Sequence, residues 1–342
     1  MQDELKKFNK LMVHPNFRKT IMDINRLNIS LPSLPIQENF DFNLYAFPKE
    51  GVLVSNIEKN HSYPLDAIKG QELLKKITIS AYDESINKFA SLEGNAFLTS
   101  HSLIIQGTDD YIPSSYLTFY FYTRSEDYTK NSDFIKYSVE PETDSKKDYV
   151  NDRNEFIGEN APNNSLLLID GPLIGGQMTS YTLKLNQKLL LKNIIPIFFV
   201  KNSTGSLIID NIKELKGKFN SDLHWVYKFL KNGERTCFYQ YQDTYVKNNS
   251  KIFCYLKAFD VSPIRVEMHT TTFDKYKGII QELMNLLFYL LLVQGDKSNP
   301  QIRPIAIAEK YARESLKLIN LDHLMKSLGI MATINQERFG WG

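Results

Sequence analysis

The sequence is short of cysteine and of net charge, and each shortage closes off a class of protein. Two cysteines in 342 residues, Cys237 and Cys254, are too few for a disulfide framework or for a zinc site built from four thiolates. Their spacing suits two reduced thiols on neighbouring strands. The 41 basic and 39 acidic side chains leave a net charge of only +2. No global positive field therefore draws the chain onto nucleic acid, and any basic groove has to be local. The most apolar stretch, Leu286–Val293, has eight residues, far below the about 20 that a membrane span needs, so it reads as a buried helix. The N-terminus, MQDELKKFNKLMVH, is charged and amphipathic, unlike a secretory leader. The expectation is a cytoplasmic protein with no membrane partner. Internal repeats and low-complexity tracts are missing. So are the phosphate-loop, dinucleotide, HExxH and GxSxG motifs. The six histidines, at positions 14, 61, 101, 224, 269 and 323, form no pair at ligand spacing on one helix.

What is present suits a folded α/β domain. The chain is 42% hydrophobic and 23% charged, enough to bury a substantial core. Residues 1–30 read as a helix with Leu5, Phe8, Leu11 and Met12 on one face, and 31–42 as a Pro-containing connector. The pattern predicts a helix over 67–88, a strand, turn and strand over 89–107, and a third strand over 114–126. A polar, charged loop over 127–154 leads into a helix near Arg153–Asn160. Beyond it come a strand at 165–170, a helix at 179–193 and a strand at 193–202. A helix at 222–233 precedes strands within 235–245, 250–260 and 263–270. Helices at 275–294 and about 305–318 close the chain. The sum is a mixed sheet with helices packed on it. The division expected is an N-terminal helical arm over 1–87 and a main domain over 88–342.

Chemistry in this chain rests on carboxylates. In SLLLIDGPL (165–173) a buried-looking strand ends on Asp170 before Gly171-Pro172 turns the chain away. Glu93 ends the run FASL in the same manner, before Gly94-Asn95. Glu155 lies between them on the predicted helix, with Glu159 one turn further on able to face the same side. Three acids delivered by two strand ends and a helix suit hard divalent cations, which prefer oxygen ligands. An acid at a strand end is equally a solvated terminus or a helix cap. Lys201 ends the apolar run IIPIFFVK; it can neutralise a phosphate or orient water, or simply extend to solvent.

The order of these motifs resembles the NurA family. SLLLIDGPL matches the family's strand ending in LLDGxL, and IPIFFVKNSTG (195–205) its lysine strand. IFCYLKAFDVSPIRVEMHT (252–270) matches its RVE strand, with Arg265-Val266-Glu267 at the recognisable point. NPQIRPIAIAEKYARESL (299–316) matches its closing loop and helix, and RNEF (153–156) puts Glu155 at its helical glutamate. The likeness covers roughly 88–318. Two positions depart: Glu93 stands where the family has Asp, and Tyr311 where it has His. The resemblance implies a ribonuclease H-like mixed β-sheet flanked by helices, here with an N-terminal helical extension. It implies a DNA nuclease using Mn²⁺ or Mg²⁺, with Glu93, Glu155 and Asp170 as metal ligands and Lys201 and Tyr311 completing the catalytic set. It also implies a homodimer served by a HerA-like hexameric ATPase, in DNA-end repair or anti-phage defence. The alternative is a family scaffold that has lost cleavage.

Overall fold

The computed structural model describes residues 52–330 apart from 108–109, 130–134, 175–178, 202, 211, 213, 244–245 and 247, together with 21–22 and 333. In chain order the elements that build the domain are β1 (Val52–Asn56), β2 (Tyr63–Pro64), α1 (Ala67–Leu74), β3 (Thr78–Ala90), β4 (Asn95–Gln106), β5 (Tyr111–Thr123) and β6 (Ile135–Tyr137). Next come α2 (Pro141–Asn160), β7 (Ser165–Asp170), α3 (Thr179–Leu191), β8 (Ile195–Val200), α4 (Asp222–Phe229), β9 (Glu234–Arg235) and β10 (Tyr239–Asp243). The last described elements are β11 (Ser250–Lys257), β12 (Ile264–His269), α5 (Thr270–Tyr276), α6 (Ile280–Gln294), α7 (Arg303–Leu316) and α8 (Leu321–Ser327).

Among the described residues the strands form a single mixed sheet in the order β1-β10-β11-β12-β8-β7-β3-β4-β5-β6, with β9 bridging β2 and β11. β3, β4 and β5 form an antiparallel meander. β7 then pairs parallel with β3, and β8 parallel with β7. Parallel neighbours need crossover connections, and α2 and α3 supply them. This five-strand centre, β5-β4-β3-β7-β8, is the ribonuclease H-like arrangement that the sequence led us to expect.

The period of two along each strand divides the core. Ile79, Ala81, Leu166, Leu168, Ile195 and Ile197 face one side, where they meet Leu283, Leu287, Ile305 and Ala308 of α6 and α7. Tyr82, Leu167, Ile169 and Phe198 face the other, against Phe156 and Ile157 of α2 and Leu185 and Leu189 of α3. A strand buried on both faces needs a continuous apolar run rather than alternation. LLLI in β7 and IPIFF in β8 are such runs.

Three stretches differ from the sequence reading. The helix expected over 67–88 stops at Leu74, and β3 begins at Thr78. Asp66 caps its start, accepting from the backbone N–H groups of Ile68 and Lys69. The β-branched Ile77, Thr78 and Ile79 then favour extended chain. β3 therefore crosses the 87/88 division, and residues 52–87 contribute β1, β2, α1 and most of β3. The loop expected over 127–154 holds most of α2. That helix opens with Pro141 at its first turn and Glu142 and Asp144 beside it, a favourable start for the helix dipole. Its inward face includes Ser145, Arg153 and Asn154 beside Val150, Phe156 and Ile157, so no apolar stripe announces it. The helix expected over 275–294 is two, α5 and α6, joined by a 3₁₀ turn at Lys277–Ile279. Apart from Ile21 and Met22, the arm over 1–30 lies outside the described residues.

Thr270–Gln294 is long and apolar enough, by length and composition, to cross a membrane. In the fold Leu283, Met284, Leu286, Leu287 and Leu291 are all buried in the sheet-side core. α1 packs on α6 with no room to spare: a methyl group placed on Gly70 would lie 2.2 Å from the carbonyl oxygen of Asn285. Asn285 in turn accepts the backbone N–H of Asp66. Gly70→Ala is therefore expected to lower stability by about 1–3 kcal/mol, the usual cost of overpacking, despite alanine's better helix propensity. Denaturant melts of the two proteins check this.

Candidate active site

β7 ends on Asp170 because Gly171 follows with φ +104°, a conformation that L side chains rarely adopt. The Gly171 N–H still reaches the carbonyl of Phe199 on β8 at 2.8 Å, so the strand end is fixed while the chain turns. Asp170 continues the row of Leu166 and Leu168 and so faces the α6–α7 side. Lys201, just past β8, shares that side and donates to Asp170 Oδ2 at 2.6 Å. Glu309 on α7 approaches the same ammonium, with Oε2 at 3.8 Å. Gln301 holds Glu309 Oε2 at 2.7 Å, and Arg313 holds Oε1. An open cleft of about 520 Å³ leads to this point, lined among others by Lys201, Gln301, Glu309, Lys310 and Arg313.

The second acid of this site is Asp83. The β3–β7 pairing runs from Thr78 opposite Ser165 to Tyr82 opposite Ile169, so Asp83 and Asp170 occupy the next positions on adjacent strands, with backbones about 4.8 Å apart. Asp83 follows Ile79 and Ala81 on the α6–α7 side. Burial pushes its carboxyl up to about 8, and the negative charge of Asp170 adds to the effect. The adjacent N–H of Glu84 and the Lys201 ammonium only partly offset this. The next residue, Glu84, points to the opposite face. There burial raises its carboxyl and Arg153 of α2 opposes the shift.

The sequence-predicted set is thus only partly assembled. Asp170 and Lys201 meet. Glu93 lies in the turn between β3 and β4, ten residues beyond Asp83, where its carbonyl accepts from Thr123 Oγ1. At about 3.3 Å per strand residue this is on the order of 25–30 Å from the acid pair. Glu155 is exposed on α2, where its charge helps raise the phenol of Tyr116 on β5. That position is on the other face of the sheet and three strand spacings, about 14 Å, from β7. Tyr311 is 40% exposed and sits about 200° around α7 from Glu309, the residue of that helix that approaches Lys201. Asp83 and Glu309 escaped the sequence reading. The signal for Asp83 was there: ITISAYD repeats the pattern of SLLLID, an apolar or β-branched run ending on an acid.

Asp83 and Asp170 fit a divalent cation of the Mg²⁺ type. Such an ion takes one or two carboxylates and completes its shell with water and phosphate oxygens. An acid kept protonated by burial and by the charge of a neighbouring carboxylate is also one that a cation would relieve. No group of three or more His, Cys, Asp and Glu poised for an ion occurs among the described residues.

A ribonuclease H-like sheet with an acid at the same level on each of its two central parallel strands defines a recognisable class of α/β protein. A NurA domain matches residues 72–314, and the chain belongs to the NurA family. No curated protein matches the sequence. Among solved structures, the NurA nuclease from Sulfolobus solfataricus is 13% identical with a TM-score of 0.45, over 78% of this chain and 88% of that one. Endonuclease V from Ciona intestinalis, solved with inosine-containing DNA, is 17% identical with a TM-score of 0.35, over 72% and 89%. Argonaute from A. aeolicus is 12% identical with a TM-score of 0.30, over 71% of this chain and 28% of that one. Family membership rests on the domain match and not on these distant likenesses.

The raised carboxyl of Asp83 has a consequence for stability. Its folded value of about 8 exceeds the unfolded value of about 3.9. Between those limits the folded protein holds a proton that the unfolded chain has released, so stability falls as pH rises from about 4 to about 8. Asp83→Asn, which cannot ionise, is expected to flatten this slope and to be the more stable protein by a few kcal/mol at pH 8 in metal-free buffer. Thermal melts across that range check the sign.

Proposed function

We propose that this chain is a divalent-metal-dependent DNA nuclease that hydrolyses phosphodiester bonds. The observation that carries the reading is the pairing of Asp83 and Asp170 on adjacent parallel strands, with Asp170 bound to Lys201, which itself lines a cleft that also carries Lys310 and Arg313. Asp83 and Asp170 would hold Mn²⁺ or Mg²⁺, which activates water and stabilises the departing oxygen of a phosphodiester. Lys201 would hold Asp170 in place and then contribute its charge to the scissile phosphate. Glu309, gripped by Gln301 and Arg313, keeps a third carboxylate beside Lys201, placed to take a proton from water or to limit where the ammonium can move. Lys310 and Arg313 face the cleft and suit the phosphates of a bound strand.

The finer reading follows the family. A HerA-like hexameric ATPase would feed DNA to a homodimer of this chain in the cytoplasm, for DNA-end repair or for defence against phage. The near-neutral charge supports this: a nuclease supplied by a motor has no need of a large positive field to capture DNA.

The test uses purified chain, alone and with its ATPase, on linear DNA with Mn²⁺. Asp83→Asn and Asp170→Asn should each lower cleavage by about 100-fold or more, beyond the 10- to 100-fold typical of groups that merely support a metal ligand. Glu93→Gln and Glu155→Gln should leave the rate unchanged. Calorimetric Mn²⁺ affinity should rise with pH, because Asp83 must give up its proton to bind, and should be lost in Asp83→Asn. A wild-type complex that cleaves neither DNA nor RNA in Mn²⁺ or Mg²⁺ would overturn the enzyme reading in favour of a scaffold.

A further inference from the structure

In the RVE strand, the motif that the catalytic reading leaves unused, Arg265 and Glu267 point to the face of the sheet opposite the acid pair, while Val266 faces the α6–α7 side. Glu267 on β12 is completely buried. Lys251 on β11 donates to its Oε1 at 2.6 Å. The Nε of Arg265 lies 2.7 Å from the same oxygen. The remaining oxygen, Oε2, accepts the backbone N–H of Leu173 at 3.0 Å. Leu173 stands three residues after Asp170, in the turn that ends β7. Arg265 extends the pattern: its Nη1 donates at 2.6 Å to Ser203, two residues after Lys201 in the loop that ends β8. Ser203 Oγ also accepts the N–H of Gly205, and the Gly205 carbonyl accepts the N–H of Asp222. Asp222, itself fully buried, holds Tyr255 and the N–H groups of Ile208 and Ile209. Two buried cations and two buried anions thus tie down both loops that follow the site strands.

We propose that Glu267 and Arg265 are positioning residues. They hold the turns after Asp170 and Lys201 so that the carboxylate and the ammonium meet on the far side of the sheet. The inference rests on the nuclease reading only for its catalytic consequence. A carboxylate buried with two cations could serve stability alone. The specific contacts, Glu267 to Leu173 in the turn after Asp170 and Arg265 to Ser203 in the loop after Lys201, are what a positioning role requires, since small displacements of reacting groups cost large factors in rate.

The test separates stability from placement. Removing Glu267 alone would strand two buried cations, which is strongly destabilising, so the comparison is made in a Lys251→Met background. There Glu267→Gln keeps an oxygen that can accept from Leu173, whereas Glu267→Met keeps the volume but not the acceptor. Both double variants still leave Arg265 without its carboxylate partner, so both should melt below the wild type, and kcat is compared at a temperature where melting shows both to be folded. With linear DNA and Mn²⁺, Lys251→Met/Glu267→Met should lose about 10- to 100-fold in kcat with KM little changed, while the Gln variant recovers most of it. Hydrogen exchange at the Leu173 amide should accelerate in the Met variant and not in the Gln variant. Should the Met variant fail to fold, Ser203→Ala removes the Arg265 anchor together with the acceptor of the Gly205 N–H, and should lower kcat in the same sense while the protein stays folded. Equal kcat in the Gln and Met variants, or a Leu173 amide equally protected in both, overturns the proposal; after misfolding, an unchanged kcat in Ser203→Ala does so. A wild-type chain that cleaves nothing overturns the nuclease reading alone, since amide exchange still decides whether Glu267 holds the turn.

Discussion

The parallel pairing of β3 with β7 is the constraint on which the rest of the molecule depends. It places Asp83 one step beyond Tyr82 and Asp170 one step beyond Ile169, so two acids 87 residues apart in the sequence become neighbours. The side-chain period along a strand is two, so a slip of one residue would send Asp83 to the α2 side and leave Asp170 alone. The register is held by burial on both faces at once. Ile79 and Ala81 pack under α6 and α7 while Tyr82 packs under α2, and a slip would exchange those two sets.

The acids sit in an environment that disfavours them. Asp83 is buried beside a like charge and keeps its proton well above the usual carboxylate range. The fold tolerates this because apolar packing on both faces of β7 and β8 is extensive and Lys201 supplies a nearby positive charge. Electrostatic strain concentrated at one point of an otherwise consistent fold is the pattern expected of a functional site. On the other face the charges are balanced. Lys251, Arg265, Glu267 and Asp222 neutralise one another while holding the loops beyond the strand ends.

Legibility in the sequence followed burial. β7 and β8 are buried on both faces, so they read as short continuous apolar runs, and with them Asp170 and Lys201 were found. β3 was lost because its first residues adjoin a real helix, α1, and its middle carries Ser80, Asp83 and Glu84 where an apolar residue would have signalled a strand. Read as helix, that stretch takes Asp83 off the strand beside β7, and Glu93 becomes the first acid next to a strand. α2 was shortened for a related reason: its inward face uses Arg153, Asn154 and Ser145, whose partners, such as Thr182 for Arg153, lie on other elements. Glu309 was passed over for Tyr311 because choosing between residues two apart on a helix requires knowing which side of α7 faces the sheet.

The sequence by itself determined the α/β class, the identity of the strands that carry Asp170 and Lys201, and the family, because buried strands and their terminal residues leave a local record in residue type and order. Only the tertiary structure decided which acid adjoins Asp170, which face of the sheet the pair occupies, and that Glu93, Glu155 and Tyr311 lie away from that pair. Those outcomes are set by strand register and helix rotation. A step of one residue along a strand reverses its face, and two residues along a helix turn it about 200°, and neither phase is written in the local pattern of residues.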